Sequence, residues 1–300
     1  MRNAFIEELV KSAEKDEKIV LVVGDLGYGV IEPFAKKFPE RFFNAGVAEQ
    51  NMMGLSAGLA SEGFHVYAYS IANFPTFRCA EQIRNDVAYH NLPVTIVAVG
   101  GGLSYGNLGY SHHAVQDYAL LRTMPNMLIA APGDPMETIS CMKYLNSNPQ
   151  PSYLRLGKAG EKNFHKKIPN IDPGKFTSTD NEIKSKIILS TGTALNLAKE
   201  LDKENLMEDF CVMTMPLWGM EHRKVLLDEV QKYEEIIVLE DHLLDGGFGS
   251  WILESLINNN ELYSRIKIKA LDPKICGMVG SQSTLNAVGG LNVSSILEIT

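Results

Sequence analysis

Positive charge is the first thing this chain lacks. Its 300 residues carry 28 Lys plus Arg against 36 Asp plus Glu, a formal net charge of -8, with no basic block. Neutralising nucleic-acid phosphates takes clustered Lys and Arg, so no nucleic-acid partner is expected. Long apolar runs are missing as well. The longest, Leu92 to Leu103, runs into Gly100, Gly101 and Gly102, whereas a membrane span takes about 18 or more apolar residues. The opening residues, Met1-Arg2-Asn3-Ala4-Phe5-Ile6-Glu7-Glu8, hold no apolar h-region and turn acidic early, unlike a secretory signal. Cysteine is sparse. Cys79, Cys141, Cys211 and Cys276 stand far apart with no Cys-x-x-Cys pair, which speaks against a Cys-based zinc site and against structural disulfides. The expectation is a cytoplasmic globular protein without membrane association, long enough for about two domains.

What the chain has in plenty is alternation. Ile19 to Val23, Phe64 to Tyr69, Val94 to Val99 and Met127 to Ala131 read as strands, each closed by Gly, Pro or a polar residue. Between them lie helical stretches. One runs from about Ala48 to Ser61, with Ala48, Met52, Leu55 and Leu59 at helical spacing. Another opens at Asp134, with Pro135 at the first helical position and Glu137 three residues past the cap, and runs through about Tyr144. After a polar stretch over Lys158 to Lys186 the alternation resumes: strands Ile187 to Ser190, Phe210 to Met213 and Ile236 to Leu239, with helices from about Ala194, Met220 and Ser250. Strand–helix alternation requires crossover connections, which give parallel sheets covered on both faces. The fold class is therefore α/β, with two doubly wound domains: 1–160, a linker over 161–185, and a smaller one over 186–300.

Several features carry candidate chemistry. Gly102-Leu103-Ser104-Tyr105-Gly106 matches the Gly-x-Ser-x-Gly of a hydrolase nucleophile elbow, with His242 available as base in chain order. The elbow needs an immediate strand-to-helix turn, however, and Asn107-Leu108-Gly109 follow instead. The same glycines make a poor dinucleotide loop, because no helix opens promptly to hold a pyrophosphate. Both glycine clusters, here and at Gly24 to Gly29, read as turns at the carboxyl ends of strands, the rim where open α/β sheets bind ligands. His112 and His113 sit on such a loop, as structural hydrogen-bonders or as catalysts. Glu49 falls in the first turn of a helix of small residues, where the helix dipole favours a carboxylate by roughly 0.3–1 kcal/mol. It is either a charge placed for the helix or a catalytic group.

The run Val47-Ala48-Glu49-Gln50-Asn51-Met52-Met53-Gly54-Leu55-Ser56-Ala57-Gly58-Leu59-Ala60 closely resembles the helix that carries the invariant glutamate of thiamine-diphosphate enzymes. The resemblance continues through Ala80-Glu81-Gln82-Ile83-Arg84-Asn85-Asp86, Gly109-Tyr110-Ser111-His112-His113 and Met124-Pro125-Asn126-Met127. In the second half it includes Glu240-Asp241-His242 and Asp245-Gly246-Gly247-Phe248-Gly249-Ser250. Taken in order, these motifs resemble the C-terminal half of a transketolase, a pyrimidine-binding domain plus C-terminal domain, as found in the smaller chain of split transketolases.

The resemblance implies roles for particular residues. Glu49 would bond the ring nitrogen of the cofactor's aminopyrimidine and promote its imino tautomer, and Phe74 would stack on that ring, with Phe77 beside it. Asp25 and Leu26 would flank the cofactor. His112 would assist proton transfer and, with His113, hold substrate oxygens; Arg155 and Lys158 would hold a substrate phosphate or carboxylate. No Gly-Asp-Gly occurs in the chain. The Mg²⁺ and diphosphate ligands are thus expected on a separate diphosphate-binding subunit, in a heterotetramer with two of each chain. A two-carbon ketol transferase is implied, acting on a ketose or keto-acid donor and an aldehyde acceptor. The rivals are an acyl-transferring relative, resembling the beta chain of a 2-oxoacid dehydrogenase or a deoxyxylulose-phosphate synthase, and a non-catalytic partner subunit. Three departures from the family pattern bear on substrate: Gly100 replaces a substrate-binding histidine, Leu108 an aspartate that reads a sugar hydroxyl, and Gly29 a serine near the donor phosphate. Losing such polar partners strips hydroxyl recognition.

Overall fold

The computed structural model describes residues 1–179 and 183–299. Its strands are β1 (Ile19–Val23), β2 (Phe42–Asn44), β3 (His65–Ile71), β4 (Val94–Val99), β5 (Leu128–Ala130), β6 (Ser152–Leu156), β7 (Thr177–Ser178), β8 (Lys186–Ser190), β9 (Phe210–Thr214), β10 (Leu217–Trp218), β11 (Glu235–Leu243) and β12 (Ile266–Leu271). Among the described residues they form two sheets, ordered β10-β5-β6-β4-β3-β1-β2 and β12-β11-β8-β9-β7. Pairing is parallel except at β10–β5 and β7–β9. Strands β1, β4 and β6 are buried along their whole length, as expected of parallel strands covered by helices on both faces.

The two sheets are not independent. β10, from the second half of the chain, adds an antiparallel edge to the first sheet, pairing Leu217 with Ala130 and Trp218 with Ile129. The Trp218 ring lies 5.1 Å from Tyr118 and 5.2 Å from Phe248, and its indole N–H donates to Thr191 Oγ1 at 3.2 Å. One buried apolar cluster accordingly runs from Val20 and Ile96 through Trp218 to Ile187 and Phe248. Part of the expected linker is also structured, since Thr177 and Ser178 pair with β9. Asp180, Asn181 and Glu182 of that linker lie outside the described residues.

Local sequence accounts for the two helices that matter most here. Helix Pro135–Ser147 begins as its cap dictates: Asp134 Oδ1 accepts from the Glu137 N–H at 2.8 Å, with Pro135 supplying the first turn. Helix Glu49–Ser61 follows β2 directly. Its buried face is Met52, Met53, Ser56, Ala57 and Ala60; of the expected Ala48, Met52, Leu55 and Leu59, Met52 is buried, Leu59 is partly buried against the core, and Ala48 and Leu55 are exposed. Small residues let the helix lie close on the sheet. Leu55 is turned outward and is 36% exposed.

Candidate active site

The chemistry-bearing loops leave the carboxyl ends of neighbouring strands. Asp25 follows β1, Glu49 follows β2, Phe74 and Arg78 follow β3, Tyr105 and His112 follow β4, and Lys158 follows β6. Parallel pairing sends all these ends to one rim.

At its centre is Glu49, whose side chain is only 6% exposed although it begins a helix. Its Oε1 accepts from Arg78 Nη1 at 2.8 Å. The Arg78 guanidinium carbon in turn lies 4.1 Å from the centroid of the half-buried Phe74 ring. His112 meets the same ring edge-on, with centroids 5.3 Å apart, and stands 6.2 Å from the Tyr105 ring. Lys158 Nζ lies 5.1 Å above Tyr105. Glu49, Arg78, Phe74, His112, Tyr105 and Lys158 thus form one connected series.

The loop that presents His112 is held on both sides. Asn73 Nδ2 donates to the Ser111 carbonyl at 3.2 Å and the His113 carbonyl at 2.9 Å. Ser111 Oγ is 3.0 Å from His112 Nδ1. Partial burial, with the nearby His113 and Arg78, lowers the His112 pKa below its ordinary value. The ring is therefore neutral near pH 7 and able to accept a proton.

Other candidates fall elsewhere. Asp25 takes a left-handed backbone (φ 53°), and its carboxylate accepts from Tyr28 Oη at 2.7 Å and Asn44 Nδ2 at 2.9 Å, closing the turn after β1. Leu26 packs on the core beneath that turn. Phe77 is 45% exposed beside the Phe74 ring. Ser104 Oγ donates to the Gly101 carbonyl at 2.7 Å, while His242 stacks on Tyr118 at 5.0 Å and bonds the Leu243 carbonyl. Serine and histidine are not paired, and the hydrolase reading ends there. A cleft of about 930 Å³, lined by Ser104, Lys158, Thr193 and Asp241 among others, has neither Glu49 nor Phe74 on its walls.

Residues 1–160 match the family model described as transketolase, pyrimidine binding domain. The chain belongs to the transketolase family. It is 33% identical to a Methanocaldococcus jannaschii chain described as a transketolase C-terminal section, over 99% of this chain and 94% of that one. It is 32% identical to one of the subunits of the apulose-4-phosphate transketolase of Phocaeicola vulgatus, over 86% of this chain and 84% of that one. The 1-deoxy-D-xylulose-5-phosphate synthase of Aquifex aeolicus is 33% identical, but this chain covers only 47% of it. Among solved structures, a split-gene transketolase described as an inactive beta4 tetramer superposes with a TM-score of 0.81 at 31% identity, over 99% of this chain and 95% of that chain.

Transketolases use thiamine diphosphate, and the residues present fit its aminopyrimidine end. A nearly buried carboxylate and an aromatic ring are both in contact with one flat guanidinium, that of Arg78. One candidate substrate ligand must be withdrawn. Arg155 is buried, and its five N–H groups are all taken: by Asp117 Oδ2 (2.7 Å), Tyr118 Oη (3.2 Å), Asp241 Oδ1 (2.6 Å), the Asp241 carbonyl (3.2 Å) and the Ala114 carbonyl (2.7 Å). It has no donor left for a substrate anion. His113 is also buried, its Nε2 3.3 Å from the Gly106 carbonyl, but its Nδ1 has no hydrogen-bond partner among the described residues and it lines the hollow that holds Phe74 and Phe77, so it stays a candidate. Lys158 remains exposed at the rim.

Arg78 and Tyr105 are site residues that sequence reasoning did not single out. Gly100 has φ 89°, and a Cβ there would run into the Tyr105 ring. The space of a side chain at position 100 is filled by the aromatic ring five residues on.

Proposed function

We propose that this chain is the pyrimidine-side subunit of a two-chain, thiamine-diphosphate-dependent transferase that moves a two-carbon ketol unit from a ketose or keto-acid donor to an aldehyde acceptor. The observation that carries the reading is Glu49: a carboxylate 6% exposed, at the start of a small-residue helix, joined to the Phe74 ring through Arg78. A charge serving only its helix gains nothing from burial. A carboxylate that must bond a heterocycle nitrogen gains a defined position.

The chemistry supplied by thiamine diphosphate when bound is a nucleophilic thiazolium carbon. In this proposal Glu49 holds the pyrimidine nitrogen, Phe74 and Phe77 stack on the ring, and Asp25 and Leu26 border it. His112, neutral at working pH, takes and returns protons at the substrate oxygens, and Lys158 receives the anionic end of the substrate. Mg²⁺ and the diphosphate fall to the partner subunit, in an assembly of two copies of each chain. Coverage of almost the full length of split-transketolase sections supports the two-chain form over the synthase reading. The subunit belongs in the cytoplasm in this proposal, where cysteines that form no disulfide among the described residues stay as thiols.

The test combines the chain with a diphosphate-binding-domain subunit, Mg²⁺ and thiamine diphosphate, and follows hydrogen–deuterium exchange at the thiazolium carbon by quench and NMR. Glu49→Gln keeps the shape without the charge and should slow exchange strongly in a correctly assembled complex. An unchanged rate would reduce Glu49 to a helix-terminal charge and end the proposal.

A further inference from the structure

Arg78 makes, in one side chain, the two contacts that the proposed pyrimidine site offers. Its Nη1 bonds Glu49 Oε1 at 2.8 Å, and its guanidinium lies over the Phe74 ring at 4.1 Å. A guanidinium is flat, donates N–H groups within its plane and stacks on aromatic faces. An aminopyrimidine shares those three properties, so the two groups compete for the same carboxylate and the same ring.

The surface around Arg78 carries the argument further. Two hollows flank it, one of about 510 Å³ that contains Glu49 and one of about 400 Å³ that contains Phe74 and Phe77. Arg78 lines both and is the residue they share. A ligand that touches Glu49 and Phe74 together must pass through the space of its side chain. That side chain is 49% exposed, and Glu49 is its single ion-pair partner among the described residues. A swing into solvent breaks two contacts, one part-buried ion pair and one cation–π contact on a half-buried ring.

We propose that Arg78 is a displaceable plug: it closes the pyrimidine slot by bridging Glu49 and Phe74, and it must turn out to solvent for the heterocycle to enter. The proposal rests on the reading of Glu49 and Phe74 given above and adds a regulation of that site. Cofactor loading then competes with an internal cation, and loss of that cation tightens binding. The plug also supplies a partner for a nearly buried carboxylate, which would otherwise be left without one.

The probe is 4-amino-5-hydroxymethyl-2-methylpyrimidine, titrated by saturation-transfer NMR into the full chain and into Arg78→Ala, Arg78→Lys, Glu49→Gln and Arg78→Ala/Glu49→Gln, with thermal melts checking the fold. Arg78→Ala should bind about tenfold more tightly, because the probe no longer has to break a part-buried ion pair and a cation–π contact. Arg78→Lys should fall between, keeping charge without the flat fork, and the double variant should lose the gain. Equal or weaker binding by Arg78→Ala, with the native chain still binding and Glu49→Gln abolishing it, would overturn the plug while leaving the Glu49 reading intact. Absence of binding in every variant would overturn the pyrimidine site itself, and the plug with it.

Discussion

Arg155 offers the sharpest quantitative test, because the structure assigns it a purpose opposite to the one its sequence neighbourhood suggests. In Leu154-Arg155-Leu156-Gly157-Lys158 the two cations look equivalent. β6 makes them opposite: Arg155 points into the seam between the sheets, and Lys158 lies past the strand end, on the surface. The Arg155 side chain is 2% exposed and pairs with Asp117 (0%) and Asp241 (2%). Arg155→Ala would therefore leave two buried carboxylates facing each other without a counterion. Removing one partner of a buried pair typically costs about 3–5 kcal/mol. At roughly 2–4 °C per kcal/mol for a large domain, the melting temperature should fall by about 10 °C.

The assay is a thermal melt by circular dichroism, backed by urea titration. Arg155→Lys should fall between the native chain and Arg155→Ala, since an ammonium keeps the charge but cannot reproduce five in-plane N–H groups. Arg155→Met with Asp117→Asn and Asp241→Asn should recover much of the loss, because neutral groups no longer need the cation. Lys158→Ala should leave the melt unchanged. An Arg155→Ala melt within 1–2 °C of native (about half a kcal/mol) would refute the claim that the buried triad ties the two sheets together.

His112→Ala in the reconstituted complex should lower turnover by about 10²–10⁴-fold with cofactor affinity nearly unchanged; collapse of affinity with little loss of rate at saturation would make the ring a cofactor ligand. Glu240 should impose a pH slope on stability. Burial pushes its pKa up to about 8, against the opposing pull of the Gly249 and Phe248 N–H groups that it accepts. Unfolding then releases a proton between the ordinary carboxyl value of 4.5 and about 8, so the stability this group contributes is complete below 4.5 and lost as pH rises through 8. Melts at pH 5 and 8.5 should show a fall that shrinks in Glu240→Gln; an equal fall in both proteins would assign the slope elsewhere.

How much of this was legible in the sequence depends on range. β1 and β4 were readable to the residue because buried parallel strands are short β-branched runs closed by turn residues, as Ile19–Val23 and Val94–Val99 are. The cap at Asp134 was readable because its signal lies within four residues. β2 and β10 were not, since Phe42–Asn44 and Leu217–Trp218 are too short to show a period and owe their existence to partners far along the chain. The helix face at Leu55 was misassigned because helical spacing gives the period, whereas the contacts of the neighbouring strand fix the phase. Glu49 and His112 stood out through ordered motifs. Arg78 did not, because a lone arginine carries no signal until β2 and β3 bring it to Glu49. Arg155 was misread for the same reason, since nothing in its pentapeptide reveals Asp117 and Asp241.

These placements give the rim two layers of different rigidity. The lower layer is tightly packed: a Cβ at Gly101 would come within 2.7 Å of Arg155 Nε, and one at Gly102 would strike the Asp241 carboxylate. Arg155 also grips the Ala114 carbonyl, two residues past His112, and Gly102 pairs with Ala114. His112 is therefore positioned by the buried triad through its own loop. The upper layer, Arg78, Phe77 and Lys158, is exposed and makes few bonds. Groups that must keep a reacting geometry gain from a locked support, while groups that must yield to an incoming ligand gain from weak, solvent-facing contacts. The same parallel sheet supplies both, because its strand ends lie at the boundary between the core and the rim.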